Sequence, residues 1–236
     1  GVPRLPIQED ETALIMVLLW DHFERYRDWE LVTSLYLRFI KPIGNLLRDY
    51  RHRETGLPLP SNDLWEERDG IHAYTVATVW AGLQAAARFM ELFGEDEAAH
   101  EYRTAADEIK AATEQRLYDE TKGRFVRSLM PDADGNFSQD PIIDVSMYAL
   151  WYFGMFDVDD PRIERTMDAA IERLTLKTPS GGMARYEGDV YQQVPAPNGG
   201  APEVGNPWFI CTLWIADYRI RNAKTLADLE PALEIL

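Results

Sequence analysis

Segments that are apolar on every side alternate along this sequence with segments apolar on one side only, and no other feature limits the possible folds as strongly. Ala13–Trp20 (Ala-Leu-Ile-Met-Val-Leu-Leu-Trp), Ile71–Met90, Val145–Phe156 and Trp208–Ala216 are nearly free of charge all round. Between them, Trp29–Tyr50, Glu95–Tyr118 and Arg162–Leu174 carry their apolar residues on one helical stripe, such as Tyr102, Ala105, Ile109 and Ala112 in the second. A helix apolar on all faces has to be surrounded by protein, whereas a striped one borders water. The length and alanine content of these runs favour helix over buried strand, and almost no segment alternates with period two. The pattern predicts an all-α fold with inner helices wrapped by outer ones. Pro42 is expected to kink or split the helix that contains it, because it lacks the N–H a helix needs.

The inner helices begin near positions 11, 71, 143 and 207, hence 60, 72 and 64 residues apart. One hairpin per roughly 65 residues is far longer than the ~34-residue period of a tetratricopeptide solenoid. A closed toroid of helical hairpins, (α/α)6 in form, is the better reading. Six such hairpins would need about 390 residues at this spacing, so the chain of 236 residues is expected to be an incomplete toroid. It is read as a single domain spanning 1–236, lacking C-terminal and N-terminal portions.

Forty acidic residues against 24 basic ones leave a net charge of −16. Such a surface repels phosphate backbones and anionic lipid, so neither nucleic acid nor a membrane is an expected partner. A neutral ligand such as a sugar meets no such barrier. The single cysteine, Cys211, excludes an internal disulfide and reads as a small core residue. No run reaches a membrane-spanning length, and Gly1–Glu11 has no signal-peptide character, so a soluble, cytoplasmic protein is expected. His22, His52, His72 and His100 share no ligand spacing, and neither a metal nor a cofactor is called for. His72 reads as a hydrogen-bonded structural histidine. Asp132, Asp134, Asn136, Ser138 and Asp140 alternate as in a calcium loop. However, glycine falls at the fourth position instead of the sixth, and Ile143 stands where glutamate is required, so a solvated loop between helices is expected. Asp157–Asp160 reads as a turn capping the next helix, with Pro161 at its first position.

Polar residues gather where the chain enters the inner helices: Gln8–Glu11, Ser61–Arg68, Arg185–Asp189 and Gly205–Trp208. In a ring of hairpins these loops share one end, making a funnel of carboxylates, arginine and tryptophan. Carboxylates act as acids and bases and grip hydroxyls, and aromatic faces stack on sugar rings; the set suits a glycosidase. Glu66 and Glu67, being consecutive, cannot point at the same place. One can face a scissile bond while the other holds a hydroxyl. Repulsion within the pair and the bulk of Trp65 are expected to keep the more buried carboxyl protonated, as leaving-group protonation requires. On spacing alone, Asp63–Arg68 also reads as an ordinary helix N-terminus, where acids favour the dipole.

The string Ser-Asn-Asp-Leu-Trp-Glu-Glu-Arg-Asp-Gly-Ile-His (61–72) resembles the general-acid segment of glycoside hydrolase family 15, the glucoamylases and their bacterial relatives. Pro-Ile-Gln-Glu-Asp-Glu-Thr-Ala-Leu (6–14) is similar to the family's Gln-x-Asp segment. Arg-Tyr-Glu-Gly-Asp-Val-Tyr (185–191) and Gly-Asn-Pro-Trp-Phe-Ile-Cys-Thr-Leu-Trp (205–214) resemble its late substrate-binding segment, in the same order. The resemblance implies that Glu66 is the catalytic acid and Glu67 its substrate-holding neighbour. It implies that Asp10 and Arg185 hold the terminal glucose, that Trp65 lines the pocket and that Trp208 is a packing residue. It further implies an (α/α)6 barrel, needing no cofactor, that cleaves α-linked glucose from the non-reducing end of oligo- or polysaccharides with inversion. Trehalase, dextran glucosidase or another α-glucosidase of the family, and an incomplete fragment that only binds carbohydrate, are the alternatives. An inverting reaction needs a second carboxylate about 6.5–9.5 Å from the acid to activate water. In the family that base follows the Asn-Pro-Trp segment. Glu203, in Pro202-Glu203-Val204, precedes it, so the base is expected outside this sequence. Inner helices left without neighbours are expected to promote self-association.

Overall fold

The computed structural model of the chain describes residues 8–177, 180–193 and 205–235. In chain order the elements are α1 (Glu9–Tyr26), α2 (Trp29–Leu35), a π-helical turn (Tyr36–Ile40), α3 (Lys41–Asp49), β1 (Ser61–Asn62), β2 (Asp69–His72), α4 (Ala73–Leu92) and α5 (Asp96–Arg116). They continue with β3 (Tyr118–Asp119), β4 (Arg124–Phe125), β5 (Ser128–Pro131), β6 (Phe137–Asp140), a 3-10 turn (Val145–Tyr148), α6 (Ala149–Tyr152), α7 (Pro161–Leu174), α8 (Phe209–Asn222), a second 3-10 turn (Ala227–Leu229) and α9 (Glu230–Leu233). They pack as two compact units, Gly1–Leu117 with Ser128–Gln139, and Tyr118–Arg127 with Asp140–Leu236.

In the first unit α4 is the central helix, flanked by α1, α3 and α5. Its residues from Ala73 to Val79 are all buried, as are Leu83, Phe89 and Met90. Here the all-round apolar pattern means what the sequence predicts. Ala13–Trp20 differs: Ala13, Met16 and Leu19 are buried, but Ile15 and Leu18 are exposed. The helix α1 packs on α4 along one face, so an apolar surface all round is covered only in part. Pro42 does split its helix. Without an N–H to offer the carbonyl four residues back, the chain widens into the π-helical turn Tyr36–Ile40, and α3 restarts with Pro42 in its first turn. Two close approaches set the helix spacing. Tyr102 is fully buried, its ring lies where a Cβ on Gly44 would stand, and its hydroxyl donates to Asn45 Oδ1 at 2.8 Å. A Cβ on Gly82 would lie 2.9 Å from Leu47 Cδ1 and 3.1 Å from Ala13 Cβ.

A small sheet of order β1-β2-β5-β6 accompanies these helices, and the helix-only expectation misses it. Ser61 pairs with Gly70 and Asn62 with Asp69; Ile71 pairs with Leu129 and His72 with Ser128, all antiparallel. Strands of two to four residues are too short to show a period of two. The acidic stretch after Asp132 is the exposed turn of the β5–β6 hairpin instead of a loop between helices. Asp132 Oδ1 accepts the N–H groups of Asp134 at 2.9 Å and Asn136 at 2.8 Å, so its carboxylate serves the turn.

In the second unit β3 pairs with β4, Tyr118 against Phe125. The Phe125 N–H donates to Thr166 Oγ1 on α7 at 3.0 Å, and Thr166 donates to the Arg162 carbonyl at 2.7 Å. Asp160 caps α7 through the Arg162 N–H at 2.8 Å, with Pro161 in the first turn as expected. Val145–Phe156, expected as one helix, is a 3-10 turn followed by the four-residue α6. Asp144 caps the turn through the Ser146 N–H at 2.8 Å, and Gly154, at φ +82°, ends the run in a left-handed conformation. Tyr148 stacks on Trp214 of α8 with centroids 5.2 Å apart and donates to Asp217 Oδ2 at 3.0 Å. Cys211, Ile215 and Ala216 are buried, while Phe209, Ile210 and Leu213 are exposed, so α8 also covers one face only. Among the described residues, no helix is long and apolar enough to cross a membrane.

The Gly82 contact has a sign that can be tested. In an open helix, replacing glycine by leucine gains up to about 0.8 kcal/mol in helix propensity. Against Leu47 and Ala13 the same change should instead destabilise by about 1–3 kcal/mol. Thermal unfolding of Gly82→Leu should therefore give a lower midpoint, by about 2–4 °C per kcal/mol for a chain of this size. A raised midpoint would show that α1, α3 and α4 do not meet this closely.

Candidate active site

The loop joining β1 to β2 carries Trp65, Glu66 and Glu67, and one buried side chain shapes it. The Asp63 N–H donates to the Arg68 carbonyl at 2.8 Å, and the Glu66 N–H donates to the Asp63 carbonyl at 2.8 Å. Asp63 Oδ1 accepts the N–H groups of Glu67 at 2.8 Å and Arg68 at 3.3 Å, and Oδ2 accepts Arg68 Nη1 at 3.3 Å. The loop closed this way leaves Glu66 at φ +57°, a left-handed conformation that costs a residue with a Cβ about 1–3 kcal/mol and is held only by its surroundings. The two glutamates then part company. Glu67 Oε2 accepts Arg68 Nη1 at 3.3 Å, whereas no hydrogen bond or ion pair engages the Glu66 carboxylate among the described residues. Both are exposed. The apolar pocket expected around one of them is thus not formed by the described residues, because the loop turns both side chains outward. Nor is the segment a helix N-terminus: α4 begins only at Ala73.

The buried acids of this unit are Glu9 and Asp10, each 2% exposed in the first turn of α1. The positive end of the helix dipole favours carboxylates there. Burial outweighs it. Burial, followed by the charges of Glu11 and Asp63, pushes the Asp10 carboxyl up to about 6. Glu9 is raised as well, first by burial and then by the charges of Asp10 and Asp69. Asp63 and Asp69 belong to the β1–β2 hairpin, whose charges therefore reach the start of α1. Neither oxygen of Glu9 and not Oδ1 of Asp10 has a hydrogen-bond partner among the described residues. Holding Asp10 in this setting costs about 3 kcal/mol at neutral pH. Met16, Leu19 and Phe23, buried on the same helix at about 1.5–3 kcal/mol each, can offset it. Buried acids without partners are found where a fold keeps them for binding or proton transfer.

Arg185 belongs to the second unit. It is 3% exposed, and its Nε and Nη2 donate to Asp189 Oδ2 and Oδ1, both at 2.7 Å. Asp189 is fully buried and its Oδ1 also accepts the Tyr191 N–H at 2.9 Å. The guanidinium carbon lies 5.2 Å from the ring centre of Tyr186, 5.1 Å from Tyr191 and 4.9 Å from Trp208, so aromatic faces wall the cation on several sides. The Trp208 N–H donates to the Met183 carbonyl at 2.8 Å at the start of α8.

Within the first unit the charge of Asp63, which shapes the Trp65–Glu67 loop, acts on Asp10; in the second unit Asp189 holds Arg185 by two hydrogen bonds. His72 is the hydrogen-bonded histidine its sequence context predicts: Nε2 lies 3.0 Å from the Ser61 carbonyl and Nδ1 2.6 Å from Ser128 Oγ. Glu203 lies outside the described residues. Sequence reasoning missed Glu9, Asp63 and Asp189 as individuals. Asp189 follows Arg185 by four residues, and that spacing was a usable signal; nothing in the sequence distinguishes Asp63 from its acidic neighbours. Among the described residues, no group of three or more His, Cys, Asp or Glu side chains could hold a metal ion.

Comparison with known proteins follows the same lines. The model of the glycosyl hydrolases family 15 matches residues 6–234. An uncharacterized glycosyl hydrolase of Methanocaldococcus jannaschii is 33% identical over 230 residues, which are 97% of this chain and 33% of that protein. A trehalase of Mycolicibacterium smegmatis is 28% identical over 72% of this chain and 24% of its own length. A bacterial glucoamylase crystallised with acarbose superposes with a TM-score of 0.73 at 24% identity, over 98% of this chain and 35% of that one. The chain thus spans a quarter to about a third of the length of these relatives. The structural likeness fixes the fold, in keeping with part of an (α/α)6 toroid. A family match over nearly every residue, together with the 33% identical relative, shows that the chain belongs to glycoside hydrolase family 15.

Proposed function

We propose that this chain supplies the proton-donor side of an inverting, exo-acting α-glucosidase of the glucoamylase type, releasing glucose from the non-reducing end of α-glucans. The observation that carries the proposal is the loop closed by Asp63, which leaves Glu66 exposed and unengaged while Arg68 occupies its neighbour Glu67. A proton donor has to be free to reach the glycosidic oxygen, and a residue that holds a substrate hydroxyl gains from being fixed. Glu66 is assigned the transfer of a proton to the leaving oxygen. Glu67, Asp10, Trp65 and Arg185 are assigned to binding the terminal sugar. Asp10 at the start of α1 would present a carboxyl to hydroxyls, and Arg185, oriented by Asp189, would present a fixed cation. The carboxylate that activates water is assigned to a part of the fold outside this sequence. The trehalase among the relatives supports a second reading, in which the same acid cleaves trehalose. Assays with maltose, isomaltose, trehalose and starch separate the two.

Two substitutions in the full-length protein test the division of labour. Glu66→Gln should lower kcat by about 10²–10⁴-fold, the range for loss of a general acid. Glu67→Gln should act mainly through KM. Near-normal turnover in the first variant would refute the assignment.

Asp10 makes a prediction about pH and stability. Its carboxyl is raised from an ordinary 3.8 to about 6, so the folded protein binds a proton there that the unfolded chain has already released between these values. Stability from this group is present below pH ~4 and lost as pH rises through ~6. Relative to Asp10→Asn, which stays neutral throughout, the wild type should lose about 2 kcal/mol between pH 4 and pH 7. Denaturant unfolding of both proteins at the two pH values measures this. A difference that does not change with pH would show that Asp10 is not a buried acid.

A further inference from the structure

Besides Arg185, the second unit buries Arg124 and Arg127, each 8% exposed. Arg124 donates to the Phe125 carbonyl at 3.0 Å and to the Pro141 carbonyl at 2.8 Å, so its charge serves the nearby backbone. Arg127, between β4 and β5, has no task in the proposed chemistry. Its Nε donates to Asp140 Oδ2 at 2.8 Å, and its Nη2 lies 2.7 Å from the same oxygen. Its Nη1 lies 3.7 Å from Asp144 Oδ2 and makes no hydrogen bond among the described residues. The Arg127 guanidinium carbon stands 5.3 Å from the ring centre of Tyr186, and that of Arg185 stands 5.2 Å from the same centre. One buried ring, 4% exposed, therefore serves two cations. Two like charges are tolerated there because each has its own carboxylates: Asp189 for Arg185, Asp140 and Asp144 for Arg127. The backbone repeats the connection. Asp144 bridges Tyr186 in antiparallel fashion, the Val145 N–H donates to the Arg185 carbonyl at 2.9 Å, and the Glu187 N–H donates to the Ile143 carbonyl at 3.0 Å. Arg127 thus reaches Arg185 by two routes, through the Tyr186 ring and through the segment 140–145.

We propose that Arg127 is a positioning residue for Arg185: it holds the Tyr186 ring and the segment 140–145 in the frame that aims the sugar-binding guanidinium. The role rests on the assignment of Arg185 to the terminal sugar. Asp189 fixes the tip of Arg185, and Arg127 fixes the ring beside it and the backbone at its base. A planar fork suits this task, because it spans two carboxylates while lying over an aromatic face, which a compact ammonium does poorly. Removing it takes a cation from Asp144, which is 2% exposed, and loosens the segment against which the base of Arg185 is paired.

The test uses Arg127→Met and Arg127→Lys in the full-length protein, each alone and combined with Arg185→Ala, with maltose as substrate. Arg127→Met keeps a stem that packs but loses the fork. It should raise KM by about 10-fold with kcat little changed, the mark of binding lost equally from substrate and transition state. Arg127→Lys, which keeps the charge, should raise KM by about 3-fold. In the Arg185→Ala background neither change should raise KM further, because Arg127 acts through Arg185. A rise that persists in that background, a loss carried mainly by kcat, or a normal KM in Arg127→Met would overturn the proposal. If Arg127→Met does not fold, Arg127→Lys decides by the same criteria. Amide exchange tests the frame whatever Arg185 binds: in Arg127→Lys it should quicken across residues 143–146 and 183–187 and stay as in the wild type across residues 61–72. Unaltered exchange across residues 183–187 is a negative result. If Arg185→Ala itself leaves KM normal, the assignment of Arg185 to the sugar falls, and the exchange rates alone decide whether Arg127 positions that residue.

Discussion

Asp63 accepts the N–H groups of Glu67 and Arg68 and the Arg68 guanidinium, and through those bonds it holds Glu66 in a backbone conformation that a residue with a Cβ avoids. The rest of the candidate site depends on this closure. The strand pairing on either side is only two residues long, too little to dictate a loop by itself. A carboxylate that collects backbone N–H groups does what a longer hairpin would otherwise do, and at 7% exposure it does so out of competition with water. The consequence is chemical. Two adjacent glutamates of equal intrinsic character become different groups, one tied to Arg68 and one unengaged.

The start of α1 shows the opposite treatment of charge. Glu9 and Asp10 are buried where the helix dipole favours each by roughly 0.3–1 kcal/mol, yet the net cost of the ionised Asp10 is still about 3 kcal/mol. That cost is offset by apolar packing of the same helix on α4, where Ala13 and Gly82 allow the backbones to come close. In the second unit a comparable problem, the buried Arg185, is solved differently: Asp189 neutralises it with two bonds of 2.7 Å, and aromatic faces fill the space around it.

Much of the helical layout was legible from residues alone. The inner segment Ile71–Met90 and the striped segment Glu95–Tyr118 became α4 and α5 nearly as read, because a pattern sustained over some five helical turns leaves little ambiguity. Pro42 and Pro161 marked a break and a start because proline acts on its own backbone, with no need of distant neighbours. The short sheet was invisible for the converse reason. Ser61–Asn62 and Asp69–His72 carry no alternation to detect, and the second of them also pairs with β5, more than fifty residues away. Val145–Phe156 misled because its hydrophobicity is genuine, while Asp144 and Gly154 restrict the helix to a few residues.

By itself the sequence determined the alternation of helix types, the acidic surface and the presence of Trp65, Glu66, Glu67, Asp10 and Arg185 in three ordered segments. These are properties of composition and of spacing along one helix, and they need only local physics. Which carboxyls are buried and which exposed was decided by tertiary structure. Glu9 and Asp10 read as a polar entry loop and are buried in the first turn of α1; Glu66 and Glu67 read as partly buried and stand in solvent. Burial of a charged group is fixed by what packs over it, and the groups that act electrostatically on these acids, Ser61, Asp63 and Asp69, come from a hairpin some fifty residues further along the chain.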